Sequence, residues 1–264
     1  MDLQLENKLA LVSGSTAGIG YAIAKALAAE GARVVINGRS ETRVREAIAT
    51  LRASVPAGKF EELPLDLSQA EPAAAAIKRY PDVDILVNNL GIYYVRPFEQ
   101  ISDADWASII ETNFMSGVRL SRHYLSRMKN AGWGRILFIA SESAVNIPTE
   151  MIHYGVTKTM QVALARGMAQ LTAGTGVTVN SVLVGPTRSE GVEKFVAGVA
   201  ESKAASVTEV ERDFFNAVRP GSLLKRFATP DEIAAMVVYL ASPRSVATNG
   251  AALRAEGGLV GTIT

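Results

Sequence analysis

The chain has 264 residues, a length that suits one large domain or two small ones, and 48% of them are hydrophobic, enough for a sizeable buried core. A net charge of +1 with acids and bases interspersed leaves no basic footprint for nucleic acid. Cysteine is absent, which excludes disulfides, thiol nucleophiles and Cys-ligated metals, and with only His123 and His153 no metal site is expected.

In chain order, Lys8–Gly14 reads as a short apolar strand. Ile19–Glu30 reads as an Ala-rich helix stopped by Gly31, a good residue just past a helix end. Arg33–Asn37 is a second strand, Glu41–Ala53 a helix with Ser40 as N-cap, Phe60–Leu65 a third strand and Gln69–Tyr80 a third helix. Asp84–Asn88 is a fourth strand, followed by helices over Asp103–Asn113 and Phe114–Ala131. Gly134–Ala140 is a fifth strand, Met151–Ala173 a long helix and Val177–Val184 a sixth strand. Ile233–Ala241 is a helix started by Pro230-Asp231-Glu232, and Ala251–Ala255 is a last short strand. Strands that are continuously apolar and alternate with helices indicate a parallel sheet covered on both faces, and right-handed crossovers make it doubly wound. Thr187 to Phe227 interrupts this rhythm. It is charged yet carries Phe195, Val199, Phe214, Phe215 and Val218. Connections of this length carry their own helices or serve as lids.

The first strand runs into Ser13-Gly14-Ser15-Thr16-Ala17-Gly18-Ile19-Gly20. Glycines at 14, 18 and 20 let a backbone turn approach a pyrophosphate, and the helix that follows presents amide donors and a positive dipole end. At the end of the second strand, where a dinucleotide fold reads the adenosine ribose, the chain has Asn37-Gly38-Arg39-Ser40 and no acid. An acid there would hold a free 2′-hydroxyl, whereas a guanidinium suits a 2′-phosphate. NADP(H) is therefore expected over NAD(H), though NAD(H) stays possible. Tyr154 and Lys158 lie four apart in Tyr154-Gly155-Val156-Thr157-Lys158, with Ser141 thirteen residues upstream. That spacing puts phenol and ammonium on one helix face, where a nearby ammonium favours the phenolate. The same spacing also occurs on ordinary solvated helices, so the pair acquires meaning only from the motifs around it.

Those motifs, taken in order, resemble the short-chain dehydrogenases/reductases over essentially the full length: the Gly14/Gly18/Gly20 turn, Asp66-Leu67, Asn88-Asn89-Leu90-Gly91, Asn113, Ser141, Tyr154/Lys158 and Gly185-Pro186-Thr187. The resemblance extends to 3-oxoacyl-ACP reductase-like members. It implies a single Rossmann-like α/β domain over 1–264, a doubly wound parallel sheet of about seven strands in the order 3-2-1-4-5-6-7, and a substrate lid at about 187–227. It makes Tyr154 the acid–base group, Lys158 the residue that lowers its pKa and holds the nicotinamide ribose, Ser141 the donor to the substrate oxygen, and Asn113 the holder of a water that connects Lys158 to solvent. Cofactor contacts would come from Gly14, Ser15, Thr16, Gly18, Ile19, Gly20, Arg39, Asp66, Leu67, Asn89, Gly91, Tyr154, Lys158, Gly185 and Thr187.

Four residues depart from the family pattern: Ser13 for Thr, Leu90 for Ala, Val184 for Pro and Glu256 for Asp. None removes a reacting group. Pocket candidates are Ile92, Tyr93, Tyr94, Ser143, Ile147, His153 and the lid around Phe195 to Phe215, mostly apolar, so a medium-sized apolar carbonyl or alcohol is expected. A 3-oxoacyl thioester on an acyl carrier protein also fits the family, with Arg119, Arg122, Arg127 and Lys129 as a docking patch. The fold alone would equally serve an NADP(H)-sensing regulator that does not turn over. Family members are tetramers or dimers, which gives Phe114–Ala131 and Met151–Ala173 as one interface and the tail 259–263 as part of a second. The N-terminal Met1–Glu6 lacks the basic and apolar regions of a signal peptide, and no run of about 18 apolar residues occurs. The expected protein is cytoplasmic, away from membranes.

Overall fold

The computed structural model describes residues 1–263, apart from the side chain of Phe195. Seven strands form one parallel sheet: β1 Leu9–Val12, β2 Arg33–Asn37, β3 Lys59–Leu63, β4 Ile85–Asn88, β5 Gly134–Ile139, β6 Val177–Val184 and β7 Ala252–Ala255, in the order β3-β2-β1-β4-β5-β6-β7. The order matches the expected one. Its direction reverses between β1 and β4, which start two halves wound away from each other, and a crevice opens there at the carboxyl ends of the strands.

Side-chain alternation assigns the strands' two faces to two cores. Ala10, Val12, Val34, Ile36, Ile85, Val87, Leu137 and Ile139 face one side and pack on α1 Gly18–Ala29, α2 Glu41–Ser54 and α9 Pro230–Ala241. Leu11, Val35, Leu86, Ile136 and Phe138 face the other and pack on α3 Ala70–Arg79, α5 Ser116–Ala131 and α6 Ile152–Gln170. Apart from Ala10, each of these apolar side chains, removed from water, contributes on the order of 1.5–3 kcal/mol before the entropy of ordering it is set against the gain.

Local signals set the helix ends. Ser40 accepts from the Arg43 amide at the start of α2, Thr229 and Glu232 form a reciprocal capping box on α9 behind Pro230, and Gly132 closes α5 with φ of 75°. Where two helices were expected to meet at Asn113, α4 Asp103–Ile110 continues into α5 through a π-helical turn at Glu111–Met115. One extra residue in the turn rotates Asn113 out of the α register, and π turns of this kind concentrate at functional sites.

The long interruption carries its own helices, α7 Glu190–Ser202 and α8 Val207–Asp213, and a second π turn at Phe214–Val218. They close around a small separate core of Val196, Ala200, Val210, Phe215 and Phe227, with Phe214 stacked on Phe227 at 5.1 Å. The excursion starts and ends at one place, where Thr187 pairs with Ala228. Among the described residues no helix is long and apolar enough to cross a membrane.

Candidate active site

The glycine turn is held open by neighbours that leave its outer surface bare. Gly14 and Gly18 have φ of 62° and 57°, values that favour glycine. At Gly20, where φ is ordinary, a Cβ would stand 2.4 Å from the Gly14 carbonyl and 2.5 Å from Asn89 Nδ2, so helix and turn pack backbone to backbone. Asn89 Nδ2 donates to the carbonyls of Ser13 and Gly14, and the Ser13 hydroxyl accepts from the amides of Asn89 and Leu90. Ser13 in place of Thr thus keeps the hydroxyl the turn uses. Ser15 is buried: its hydroxyl donates to Val12 O at 2.7 Å and accepts from the Asn37 amide. Its side chain serves the turn's own architecture.

Asn37 was not expected to matter and joins three strand ends. Its Oδ1 accepts from the Gly14 amide, and its Nδ2 donates to Leu63 O and Leu65 O. Beside it lies a pocket of about 220 Å³ lined by Gly14, Thr16, Gly38, Arg39, Arg43, Asp66, Leu67 and Leu90, among others. Arg39 and Arg43 are both exposed at its rim. Asp66 Oδ1 accepts from the amide and hydroxyl of Ser68, which fixes its carboxylate at the wall. Two guanidiniums, a bare glycine turn and no acid at the end of β2 suit an anionic nucleotide carrying an extra phosphate on its ribose. Arg43 is the residue the motif reading missed; it lies one helical turn past Arg39, on the face of α2 that follows the N-cap.

From Leu90 on this wall the chain reaches Gly91, where a Cβ would lie 3.6 Å from both Lys158 Nζ and Asn113 Oδ1. Nucleotide pocket and polar cluster thus meet at adjacent residues of the chain, Leu90 and Gly91. Lys158 is buried on α6. Its Nζ donates to Ile139 O at 2.8 Å and to Gln161 Oε1 at 3.2 Å, and it lies 5.6 Å from the centre of the Tyr154 ring. The Asn113 side chain clasps the backbone of Ile92, accepting its amide at 2.8 Å and donating to its carbonyl at 2.9 Å, with a further bond to Thr157. The Asn113 carbonyl accepts from Gln161 Nε2 at 2.5 Å. Ser141 follows β5 and caps a short turn through a bond from the Ser143 amide.

Burial pushes the half-buried Tyr154 phenol up to about 12; a hydrogen bond to Ser141 pulls the other way, and the charges of Glu142 and Tyr93 add to the rise. Burial likewise lowers the Lys158 ammonium to about 8. Desolvation of the phenolate is the largest of these effects.

The pocket candidates divide. Tyr93 is exposed and meets the Tyr154 ring edge-on at 6.1 Å. Ile92 and Ile147 are exposed and Ser143 is buried. His153 is fully buried, 4.5 Å from the Tyr94 ring and 6.1 Å from Trp106, with neither ring nitrogen hydrogen-bonded. The side chain of Phe195 lies outside the described residues. Two charged residues join the substrate end that the motif reading passed over: Glu142, directly after Ser141, and Arg219, at the end of the second π turn. Arg219 Nε lies 3.6 Å from Glu142 and its Nη1 3.4 Å from Glu150, with the Arg219 and Glu142 side chains 14% and 6% exposed. Thr187 donates to Gly185 O, and a Cβ on Gly185 would meet Glu256 O at 2.6 Å. Glu256 in place of Asp reaches the amides of Leu259 and Val260 and so anchors the tail. Of the basic residues proposed for docking, Arg119 is paired with Glu111 and Arg127 with Asp82.

Sheet order, glycine turn and crevice define a Rossmann-like doubly wound α/β protein. The family model for short chain dehydrogenases matches residues 8–199. The uncharacterized oxidoreductase YvaG of Bacillus subtilis (strain 168) is 46% identical over 263 residues, all of both chains. D-beta-hydroxybutyrate dehydrogenase of Cupriavidus necator is 34% identical over 261 residues, covering 97% of this chain and 99% of its own. The crystal structure of L-sorbose reductase from Gluconobacter frateurii complexed with NADPH and L-sorbose superposes over the full length of both chains with a TM-score of 0.94 at 28% identity. The chain belongs to the short-chain dehydrogenase family and is an oxidoreductase of that family.

Proposed function

We propose that the chain transfers a hydride between NADP(H) and a small-molecule carbonyl or secondary alcohol, with Tyr154 as the acid–base group. The observation that supports this reading is the proximity of Tyr154 to Ser141 and Lys158, and of Lys158 and Asn113 to Gly91, next in the chain to a pocket lined by Gly14, Arg39 and Arg43. The similarity to a reductase solved with NADPH supports the cofactor. Arg39 and Arg43 would hold its 2′-phosphate, the amides of the glycine turn its pyrophosphate, Asp66 the adenine side, and Lys158 with Thr187 the nicotinamide end. The nicotinamide supplies or accepts the hydride.

The rest of the chemistry belongs to the protein. A phenol near 12 is fully protonated at neutral pH, the form a general acid needs when a carbonyl is reduced. Ser141 donates to the same carbonyl oxygen and stabilises the charge that develops there. In alcohol oxidation Tyr154 takes the proton, which a more alkaline solution favours. The segment 187–227, with its own core, acts as the lid over the substrate.

A turnover screen of ketones, hydroxyketones, 3-oxoacyl thioesters and secondary alcohols, each with NADPH, NADP, NADH and NAD, tests the reading. NADP(H)-dependent turnover in at least one class is the expected result. Tight NADPH binding without turnover across the panel would contradict it and favour a sensor.

A further inference from the structure

Buried polar side chains on an otherwise apolar helix face require an explanation, because each must find partners or carry a desolvation cost. Gln161 is 1% exposed, three residues after Lys158 and so above it on the same face of α6. Both ends of its amide are used, each on a member of the Ser141–Tyr154–Lys158–Asn113 cluster. Nε2 donates to the Asn113 carbonyl at 2.5 Å, and Oε1 accepts from Lys158 Nζ at 3.2 Å. Asn113 lies in the π turn at Glu111–Met115, and its carbonyl accepts the first of these bonds from α6.

We propose that Gln161 is a positioning residue of the hydride-transfer site, tying Lys158 to Asn113 by an amide bridge and holding the lysine ammonium in its charged, catalytically useful place. The inference rests on the function proposed above. The Gln161 amide lies between these two residues and bonds to both. A side-chain amide carries an acceptor oxygen and a donor nitrogen on one planar group, so it can bond to a cation and to a carbonyl at once.

Three oxygens or rings surround Lys158. Ile139 O on β5 and Gln161 Oε1 on α6 accept from the ammonium, and the Tyr154 ring lies one turn earlier on α6. Among the described residues, the titratable groups that bear on the phenol are Glu142 on the turn after β5 and Tyr93 on the loop after β4. The bridge from Gln161 and the Ile139 carbonyl are thus the neutral supports of a buried cation that burial alone brings down to about 8. Removing one support discourages the charged form, and placing a carboxylate there encourages it.

The test uses the full chain, NADPH and a carbonyl that the wild type reduces, with kcat measured across pH for wild type, Gln161→Leu and Gln161→Glu. Folding of each variant is checked by thermal melting, and NADPH affinity by binding titration. Tyrosine and lysine titrate as a pair, so the first apparent pKa on the alkaline limb belongs to both. Gln161→Leu is expected to move that pKa down and lower kcat roughly 10- to 100-fold, the loss of a hydrogen bond to a charged group. Gln161→Glu is expected to move it up. If Leu cannot be folded in, the upward shift in Glu carries the test alone. Shifts in the same direction, or no shift with kcat within about twofold of wild type, would overturn the proposal and leave the assignment of Tyr154 standing. A wild type that turns over no carbonyl or alcohol overturns both.

Discussion

Replacing Gly20 by Ala tests the glycine turn at its tightest point. The added Cβ would meet the Gly14 carbonyl at 2.4 Å, Asn89 Nδ2 at 2.5 Å and the Ser15 Cα at 3.0 Å. Two of the three are backbone atoms, so a rotamer change cannot relieve the contact. Alanine gains about 1 kcal/mol of helix propensity over glycine. Against that, overpacking costs about 1–3 kcal/mol, and displacing Asn89 weakens its bonds to Ser13 O and Gly14 O, at about 1 kcal/mol each. The net is a loss of about 2 kcal/mol, which for a chain of this size lowers Tm by roughly 4–8 °C. Because the shift falls on the turn itself, NADPH affinity should drop at least about tenfold, or 1.4 kcal/mol. Gly167→Ala is the control: on α6, with nothing within 4 Å of its Cβ, it should gain up to about 1 kcal/mol and leave NADPH binding alone. Melting curves and NADPH titrations of both variants are sufficient. Wild-type affinity and Tm in Gly20→Ala would mean that the turn accepts a side chain at this position.

Two further outcomes follow from the rim and the lid. Arg39→Ala should weaken NADPH by roughly 10-fold or more while leaving NADH within about twofold, the signature of a lost phosphate contact; Arg39→Ala/Arg43→Ala should erase the preference, and equal loss for both cofactors would contradict the pocket's assignment. Arg219→Met leaves the nearly buried Glu142 without its cation, at a cost that for such pairs reaches about 3–5 kcal/mol. A lower Tm and faster proteolytic nicking within 187–227 are expected, and wild-type resistance in both assays would show that the ion pair does not hold this segment in place.

What the sequence disclosed and withheld follows from how local each signal is. The parallel, doubly wound sheet and the nucleotide crevice were legible because apolar strand runs, glycine spacing and the Arg39 position are contiguous patterns, whereas the strand order came from the family resemblance. Tyr154, Lys158, Ser141 and Asn113 were legible as motif positions. The engagement of Asn113 by Ile92, Thr157 and Gln161 was not, because the π turn that directs it is an inserted residue in an unbroken helix and leaves no mark on hydrophobic periodicity. Asn37 has side-chain partners 23–28 positions away, and Gln161, though three residues from Lys158, takes its meaning from a second partner 48 positions away, so local spacing could not reveal either. Glu142 and Arg219 were hidden for the same reason: their meeting depends on how α8 and the second π turn fold back over β5. The height of the Tyr154 pKa is a property of burial, which a four-residue spacing does not report.

The central claim is that Tyr154 passes the proton at the substrate oxygen. Its direct measurement compares wild type and Tyr154→Phe for NADPH binding and for NADPH consumption with a carbonyl found in the screen. NADPH affinity within about threefold of wild type, with turnover reduced at least about a hundredfold as expected for a lost general acid, is the predicted result. Substantial turnover remaining in Tyr154→Phe would contradict it.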